Sequence, residues 1–158
     1  MTDAQFSDGT ERPVNLGAFD ADDLRVISAL VQDAVLPATE IKWLRSDRKL
    51  ALLVNRFRWE DLEQAKIQRR PVERVQSLMI ISEVNGVASQ GVNPRDTDLI
   101  LSILSIEFSE PVQGGAQVMI TLAGDGAIRA DVDALDVTLR DVTRPYLAPS
   151  GNVPQHKV

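Results

Sequence analysis

The first half of the chain contains Lys49-Leu50-Ala51-Leu52-Leu53-Val54-Asn55-Arg56-Phe57-Arg58-Trp59, which we call the central run. Successive side chains of a strand point to opposite faces. One face would hold Ala51, Leu53, Asn55, Phe57 and Trp59. The other face would hold Leu50, Leu52 and Val54, followed by Arg56 and Arg58. The first half is apolar on both sides, which is typical of a central strand or a barrel wall. The second half is predicted to leave the core with both guanidinium groups exposed.

The residues before the central run predict a helix and a strand. Asp20 is a typical helix N-cap, and apolar residues recur at helical spacing after it. Pro37 ends the pattern, so we expect the helix to end near Leu36. Ile41-Lys42-Trp43-Leu44-Arg45 alternates in polarity and precedes a polar turn. It is predicted to form a hairpin with the central run.

The residues after the central run predict a loop and several strands. Residues 60–71 are charged and have a weak helical pattern, and a long exposed hairpin loop is the favoured interpretation. Residues 72–84 include Leu78-Met79-Ile80-Ile81, which is typical of a strand buried on both sides. In residues 98–108 the apolar positions change phase, which predicts a bulge near Ile103-Leu104. Clean alternation on both sides of Gly124-Asp125-Gly126 predicts a tight hairpin.

Residues 133–142 fit two patterns. Leu135, Val137 and Leu139 alternate out of phase with Val132. This favours a long bent strand that continues to Val142, with a bulge at its start. A helix from about residue 133 is the alternative, because one helical face would hold Ile128, Val132, Leu135, Leu139 and Val142.

The whole pattern predicts an α+β fold with one N-terminal helix and about six mostly antiparallel strands. The two-sided apolar runs and the phase change favour a closed or half-closed barrel, and a pleckstrin-homology-like barrel is one topology that fits. We expect residues 1–18 to be a flexible N-terminal arm and residues 19–144 to be a single globular domain. The proline-rich residues 145–158 are predicted to be a disordered C-terminal tail.

Composition excludes several classes of function. The net charge of -6 disfavours a dedicated binder of nucleic acid or of anionic membranes. The chain has no cysteine, which excludes disulfides, thiolate nucleophiles and cysteine-ligated metals and suits a reducing compartment. The first residues do not resemble a signal peptide, and no apolar run is long enough to span a bilayer. We therefore expect a cytoplasmic protein with no membrane segment.

No catalytic or cofactor-binding motif is present. His156 is the only histidine and lies in the predicted tail, where it has no neighbours to hold it for catalysis. Asp20, Asp22 and Asp23 are explained by helix capping. Asp131 and Asp133 would share an outer strand face and are able to face a hard cation, but charged outer faces are ordinary. We expect no catalytic residues, no bound metal and no cofactor.

The basic segment is the one charge feature that suggests binding. Residues 42–74 contain ten of the 17 Lys and Arg residues and five acidic residues. Arginines there are suited to phosphate groups or an acidic partner, and aromatic rings are suited to stacking a base. The competing interpretation is that the arginines pair with Asp33, Glu60 or Glu73 and that the rings lie in the core. The candidate binding residues are Asn55, Arg56, Arg58, Trp59 and Arg74.

Three pieces of sequence resemble a bacterial family catalogued only as domain of unknown function 2948. They are Asp22-Asp23-Leu24-Arg25-Val26-Ile27-Ser28 with Gln32-Asp33-Ala34-Val35, then Asn55-Arg56-Phe57-Arg58-Trp59-Glu60, and Gly126-Ala127-Ile128-Arg129 with Leu139-Arg140-Asp141. Asn55-Arg56-Phe57-Arg58-Trp59-Glu60 is the most distinctive of these pieces. The resemblance implies no activity, cofactor or site residue, because the family has none assigned.

The sequence therefore favours a non-enzymatic cytoplasmic domain that binds a protein partner or associates with itself. The rival hypothesis is a small-molecule or nucleotide binder, with or without enzymatic activity, that uses the central run. It requires Asn55, Arg56, Arg58 and Arg74 to converge on a cleft. RNA binding through residues 42–74 is the weakest of the three hypotheses.

Overall fold

The computed structural model describes residues 12–93, 95–110 and 114–147, which form ten strands and two α-helices. The helices are α1 (Ala21–Leu30) and α2 (Leu62–Ile67). The strands are β1 (Asn15–Ala18), β2 (Val35–Pro37), β3 (Ile41–Leu44), β4 (Lys49–Phe57), β5 (Arg74–Ile81), β6 (Val84–Gln90), β7 (Ile100–Ser109), β8 (Ala116–Leu122), β9 (Ala127–Val132) and β10 (Val137–Asp141). The mostly antiparallel α+β character is confirmed, whereas the prediction of one helix and about six strands is wrong.

All strand pairings are antiparallel, in the order β1-β10-β5-β4-β2-β7-β8-β9-β6, with β3 paired to β4 beside this path. The short strand β2 joins a first half (β1, β10, β5, β4 and β3) to a second half (β7, β8, β9 and β6). The predicted barrel closure is wrong, because β1 and β6 end the order and do not pair with each other. The comparison with a pleckstrin-homology barrel loses its basis with that closure.

The predicted terminal segments are only partly described, since residues 1–11 and 148–158 lie outside the described residues. Within the predicted arm, residues 15–18 form β1 and pair with β10. Within the predicted tail, Tyr146 forms a backbone bridge with Arg74 of β5. Residues before and after the predicted domain of residues 19–144 therefore both contribute backbone pairs to the sheet.

Helix α1 begins as predicted and ends early. The side chain of Asp20 accepts a hydrogen bond from the Asp23 amide at 2.8 Å, and Leu24 and Ile27 are buried. The helix stops at Leu30 and not near Leu36, because residues 35–37 pair with β4 and β7 as β2. The residues expected to form the last turns of the helix thus form a strand that pairs with a neighbouring strand on each side.

The central run forms β4, in the hairpin with β3 that the sequence predicts. Leu50, Leu52 and Val54 face the main core and are fully buried, while Ala51 and Leu53 on the outer face are half-buried. The predicted exposure of Arg56 and Arg58 is wrong, because both side chains are buried. The predicted alternation of the two faces is correct, but the arginines continue the inner face and lie in the interior of the protein.

Residues 60–71 are not the predicted exposed loop. The segment begins inside a 3₁₀ turn (Trp59–Asp61) and continues as helix α2. Ala65 of α2 packs with Phe57 and Val72 in a small second core. Asp61 is buried between two arginines, which holds this charged segment against the sheet.

The predicted bulge in β7 and the predicted β8–β9 hairpin are confirmed, whereas both predictions for residues 133–142 are wrong. The register of β7 against β8 shifts between Ile103 and Ser105, at the predicted bulge. Strands β8 and β9 form the predicted hairpin, with positive φ angles at Gly124 and Asp125. Residues 133–142 form neither one bent strand nor a helix, because β9 ends at Val132 and β10 pairs in the first half of the sheet. No helix of the described residues is long and apolar enough to cross a bilayer.

Candidate functional site

Arg56 lies at the end of the inner face of β4, inside a network of acidic and polar groups. Its guanidinium contacts Glu60 at 2.8 Å and Asp141 at 3.0 Å. Its Nε donates to Ser77 Oγ at 2.9 Å, and one Nη1 hydrogen bond goes to the Phe57 carbonyl at 3.1 Å. Ser77 in turn donates to Asp141 at 2.6 Å. Three neighbouring strands and the following turn therefore meet at one buried cation.

The network uses the whole hydrogen-bonding capacity of Arg56. A guanidinium has five N–H groups, and acceptors from Ser77, Phe57, Glu60 and Asp141 account for all of them. Burial opposes the charge, but hydrogen bonds and attraction from Glu60 and Asp141 outweigh it and raise the pKa of Arg56 above its ordinary value. Arg56 is thus a structural cation with no donor left for a ligand.

Arg58 is held in a second ionic cluster, below the turn that follows β4. Its Nη1 lies 3.3 Å from Asp61 and 3.2 Å from Glu73. Arg70 binds the same Asp61 carboxylate through both Nη atoms at 2.6 and 2.9 Å, and this hydrogen bonding is the main reason that the pKa of Arg70 is raised. The interpretation that the arginines of the basic segment pair with local acids is confirmed for Glu60 and Glu73.

Asn55, Trp59 and Arg74 lie in a different place, on and beside the outer face of the sheet. The Arg74 guanidinium lies over the Phe57 ring at 4.2 Å and donates to Asn55 at 3.3 Å. Asn55 also donates to the Tyr146 hydroxyl. Burial lowers the pKa of Arg74, although Tyr146 and Asp33 act in the opposite direction. The Trp59 ring lies 5.5 Å from that of Phe57.

The five candidate residues therefore do not share one cleft. Arg56 and Arg58 are buried among acids, whereas Asn55 and Arg74 form an outer polar cluster with Tyr146. The sequence did not indicate Ser77, Asp141 or Tyr146, because each comes from a segment distant from the central run. Trp59 is explained structurally, since its indole Nε1 donates to the Gln32 carbonyl at 2.9 Å.

This indole bond leads to a stability prediction. Trp59→Phe keeps an aromatic ring but removes the donor to Gln32, so we expect a loss of about 1 kcal/mol in the free energy of unfolding. Trp43→Phe is the matched control, because Trp43 packs against the main core and forms none of the side-chain hydrogen bonds found in the described residues. Chemical denaturation followed by circular dichroism measures both. Equal losses would mean that the indole bond contributes nothing specific.

Asp131 at the end of β9 and Asp133 just after it both pair with arginines. Asp131 lies 3.1 Å from Arg129, and Asp133 is bound by Arg48 and Asn85. No cluster of potential metal ligands occurs in the described residues. Hydrogen bonds from Asn85 and then from Arg48 lower the pKa of Asp133. These contacts tie the β3–β4 turn to the start of β6.

The Asp133 shift gives a pH dependence. A carboxyl group whose pKa is lowered by folding stabilises the fold above its unfolded pKa and loses this contribution as the pH falls through its folded pKa. We expect carbon-detected NMR titration to place the pKa of Asp133 below the ordinary aspartate value of about 3.9. Asn85→Ala and Arg48→Ala should each raise it. An Asp133 pKa at or above the ordinary value would contradict the hydrogen-bond assignment.

An apolar surface on the first half of the sheet is the remaining feature of the central run. Ala51 and Leu53 of β4 are paired in register with Ile80 and Leu78 of β5, and all four side chains are half-buried on the outer face. Val142 is 44% exposed beside them. We call these five residues the outer patch.

The outer patch belongs to neither hydrophobic core, and no residue in it packs against one. An open depression of about 310 Å³ lies on it and is lined by Glu40, Lys42, Ala51, Leu53, Leu78 and Val142. The sequence did contain the relevant pattern, because both β4 and β5 are apolar on two sides. That pattern predicted burial on both sides, and in the described residues only the inner side is covered.

Comparison with known proteins adds a family and no activity. A family model described as "Protein of unknown function (DUF2948)" matches residues 14–156. No curated protein matches the chain, and no solved structure matches it.

Proposed function

We propose that this chain, which belongs to the DUF2948 family of proteins of unknown function, is a non-catalytic domain that binds another protein through the outer patch. The observation that carries the proposal is the apolar outer face of two adjacent strands. The solvent-facing side of an antiparallel sheet ordinarily carries polar residues. Ala51, Leu53, Leu78 and Ile80 instead place apolar side chains together, and burying such area favours association.

Charges at the edge of the outer patch indicate the chemistry of the partner. Lys42 is exposed beside Ala51, and Arg140 is exposed beside Leu78. Glu40 also lines the depression, so Lys42 and Arg140 leave the rim with a net positive charge, which acidic groups complement. The proposed partner is therefore a protein surface with an apolar centre and acidic side chains around it. A second copy of the chain is the other outcome of the test below.

The proposal also includes a cytoplasmic location, which rests on the cysteine-free composition. The nucleotide-binding hypothesis needs the guanidinium groups of Arg56 and Arg58 to bind a ligand. The hydrogen bonds that occupy Arg56 and the acids that surround Arg58 argue against it.

Site-specific photocrosslinking in the native host tests the proposal. A benzophenone amino acid is introduced at Leu53 in one variant and at Ala88 in another, because Ala88 is exposed on β6 in the other half of the sheet. We expect a discrete adduct with a second protein from position 53 and none from position 88. An adduct of twice the chain mass would show self-association. Equal labelling from both positions, or none from position 53, would contradict binding through the outer patch.

One observation favours a second candidate function, the binding of a small anion. Attraction from Tyr146 and Asp33 does not offset the burial of the Arg74 charge, and the guanidinium lies beside Asn55 and the Phe57 ring. Native mass spectrometry of protein purified from its own host tests this candidate. A discrete mass excess that disappears in Arg74→Gln would support it. A bare chain, or an excess unchanged by Arg74→Gln, would reject it.

A further inference from the structure

Over its second half, strand β7 pairs with a neighbouring strand on one side only, among the described residues. Strand β2 pairs with it at residues 100–102, and β8 pairs with it at residues 103–109. Beyond β2, the other side of β7 faces helix α1. At Ile103 this side is still paired, because the Ile103 amide donates to the Ala34 carbonyl at 2.9 Å and the Ile103 carbonyl accepts from the Asp33 amide at 2.8 Å. Further along β7, the Ser28 hydroxyl of α1 accepts a hydrogen bond from the Ile106 amide at 2.9 Å.

The direction of the backbone groups follows from that hydrogen bond. Because the Ile106 N–H points to Ser28, it points away from β8, and alternation along an antiparallel strand gives Phe108 the same direction. The Ile106 carbonyl and the N–H and carbonyl of Phe108 therefore face α1. None of these three groups has a partner on that side among the described residues.

A groove lies along the same edge. It has a volume of about 530 Å³, with β7 as one wall and α1 as the other. Leu24 and Ile106 form an apolar floor and are almost completely buried, while Arg25 and Glu107 are exposed at the rim. The groove thus combines apolar surface with three backbone groups of Ile106 and Phe108 that have no partner among the described residues.

We propose that this groove binds an extended segment of another polypeptide, which adds to β7 as an antiparallel strand. One residue of the segment exchanges two hydrogen bonds with Phe108, and the residue two positions further along donates to the Ile106 carbonyl. The spacing is that of one strand repeat, about 6.8 Å, which matches a peptide backbone. Ser28 ends the site, because it already occupies the Ile106 amide.

The side-chain chemistry of the segment follows from the walls. An apolar side chain pointing inward contacts Leu24 and Phe108, and polar neighbours on either side remain near Arg25 and Glu107. This mode, in which an extended peptide lies between a strand edge and a helix, obtains affinity from main-chain hydrogen bonds and specificity from alternate side chains. The groove is separate from the outer patch, so it goes beyond the proposed function.

Peptide selection with backbone variants tests the inference. Phage-displayed random linear dodecapeptides are selected on the full chain, and the affinity of selected peptides is measured for Phe108→Ala and Phe108→Pro. Both variants lose the ring, but only proline also removes the N–H and blocks the edge. We expect Phe108→Pro to bind at least fivefold more weakly than Phe108→Ala. Leu53→Asp is the control for the outer patch and should leave peptide affinity unchanged.

Amide hydrogen exchange on the unmodified chain keeps the test decisive if a variant fails to fold. Peptide binding should slow exchange of the Phe108 amide at least tenfold, because that amide gains a partner. The inference is overturned if no peptide is selected, if Phe108→Pro and Phe108→Ala bind equally, or if exchange at Phe108 does not change. Peptides that lose affinity through Leu53→Asp would also overturn it, while supporting the outer patch as a binding surface.

Discussion

Replacing Arg56 by alanine should lower the free energy of unfolding by about 3–5 kcal/mol, the range for removing one member of a buried ion pair. Asp141, whose side chain is 4% exposed, would lose the cation that it contacts at 3.0 Å. Glu60 would lose its nearer partner, at 2.8 Å, and keep Arg58 at 3.9 Å. Since both carboxylates are negative and lie around the same vacated space, the remaining charges would repel each other as well.

Arg25→Ala is the control for this prediction. Arg25 also forms an ion pair, with Asp22, but the two side chains are 77% and 84% exposed. An exposed pair contributes roughly 0–1 kcal/mol. Urea denaturation of both variants separates the two cases. If Arg56→Ala costs no more than Arg25→Ala, the guanidinium is solvated in solution and the interior position of Arg56 is wrong.

The second large effect concerns two adjacent leucines of the central run. Leu52→Ala should cost about 2–5 kcal/mol, because Leu52 is fully buried in the main core and its loss leaves a cavity. Leu53→Ala removes the same atoms from the outer face, where the side chain is only half-buried and belongs to neither core. We expect it to cost less than about 1 kcal/mol.

Leu52 and Leu53 are the same residue type and adjacent in sequence. The difference in free energy of unfolding between the two variants therefore shows which face of β4 packs against the main core. Chemical denaturation of both proteins under identical conditions gives the comparison. Equal destabilisation would mean that both sides of β4 are packed, as in the wall of a closed barrel. A larger effect at Leu53 would mean that the inner and outer faces have been exchanged.

Local sequence patterns predicted much of the fold because they depend on neighbours along the chain. The Asp20 cap, the β3–β4 hairpin, the turn at Gly124-Asp125-Gly126 and the bulge after Ile103 were all visible in this way. The end of α1 was not visible. Residues that fit a helical face became β2, because two strands distant in sequence supply its hydrogen bonds.

The arginines of the central run show the same limit. Charge alone predicted that Arg56 and Arg58 face solvent, yet both are buried because their acids come from other segments. Glu60 and Asp61 are close in sequence, but Asp141 is on β10 and its approach depends on the sheet order. The outer patch is the opposite case. Its apolar pattern was visible, and only the structure distinguishes the covered side of β4 from the uncovered side.

The most direct test of the central claim is the accessibility of position 53 in the native host. The chain has no cysteine, so Leu53→Cys introduces a single thiol, and Ala88→Cys provides an exposed reference on β6. Alkylation is measured by mass spectrometry in intact cells and on the purified protein. We predict that the thiol of Leu53→Cys is alkylated readily after purification and at least tenfold more slowly in cells, while the thiol of Ala88→Cys reacts alike in both. Equal alkylation rates for Leu53→Cys in cells and after purification would contradict a partner on the outer patch.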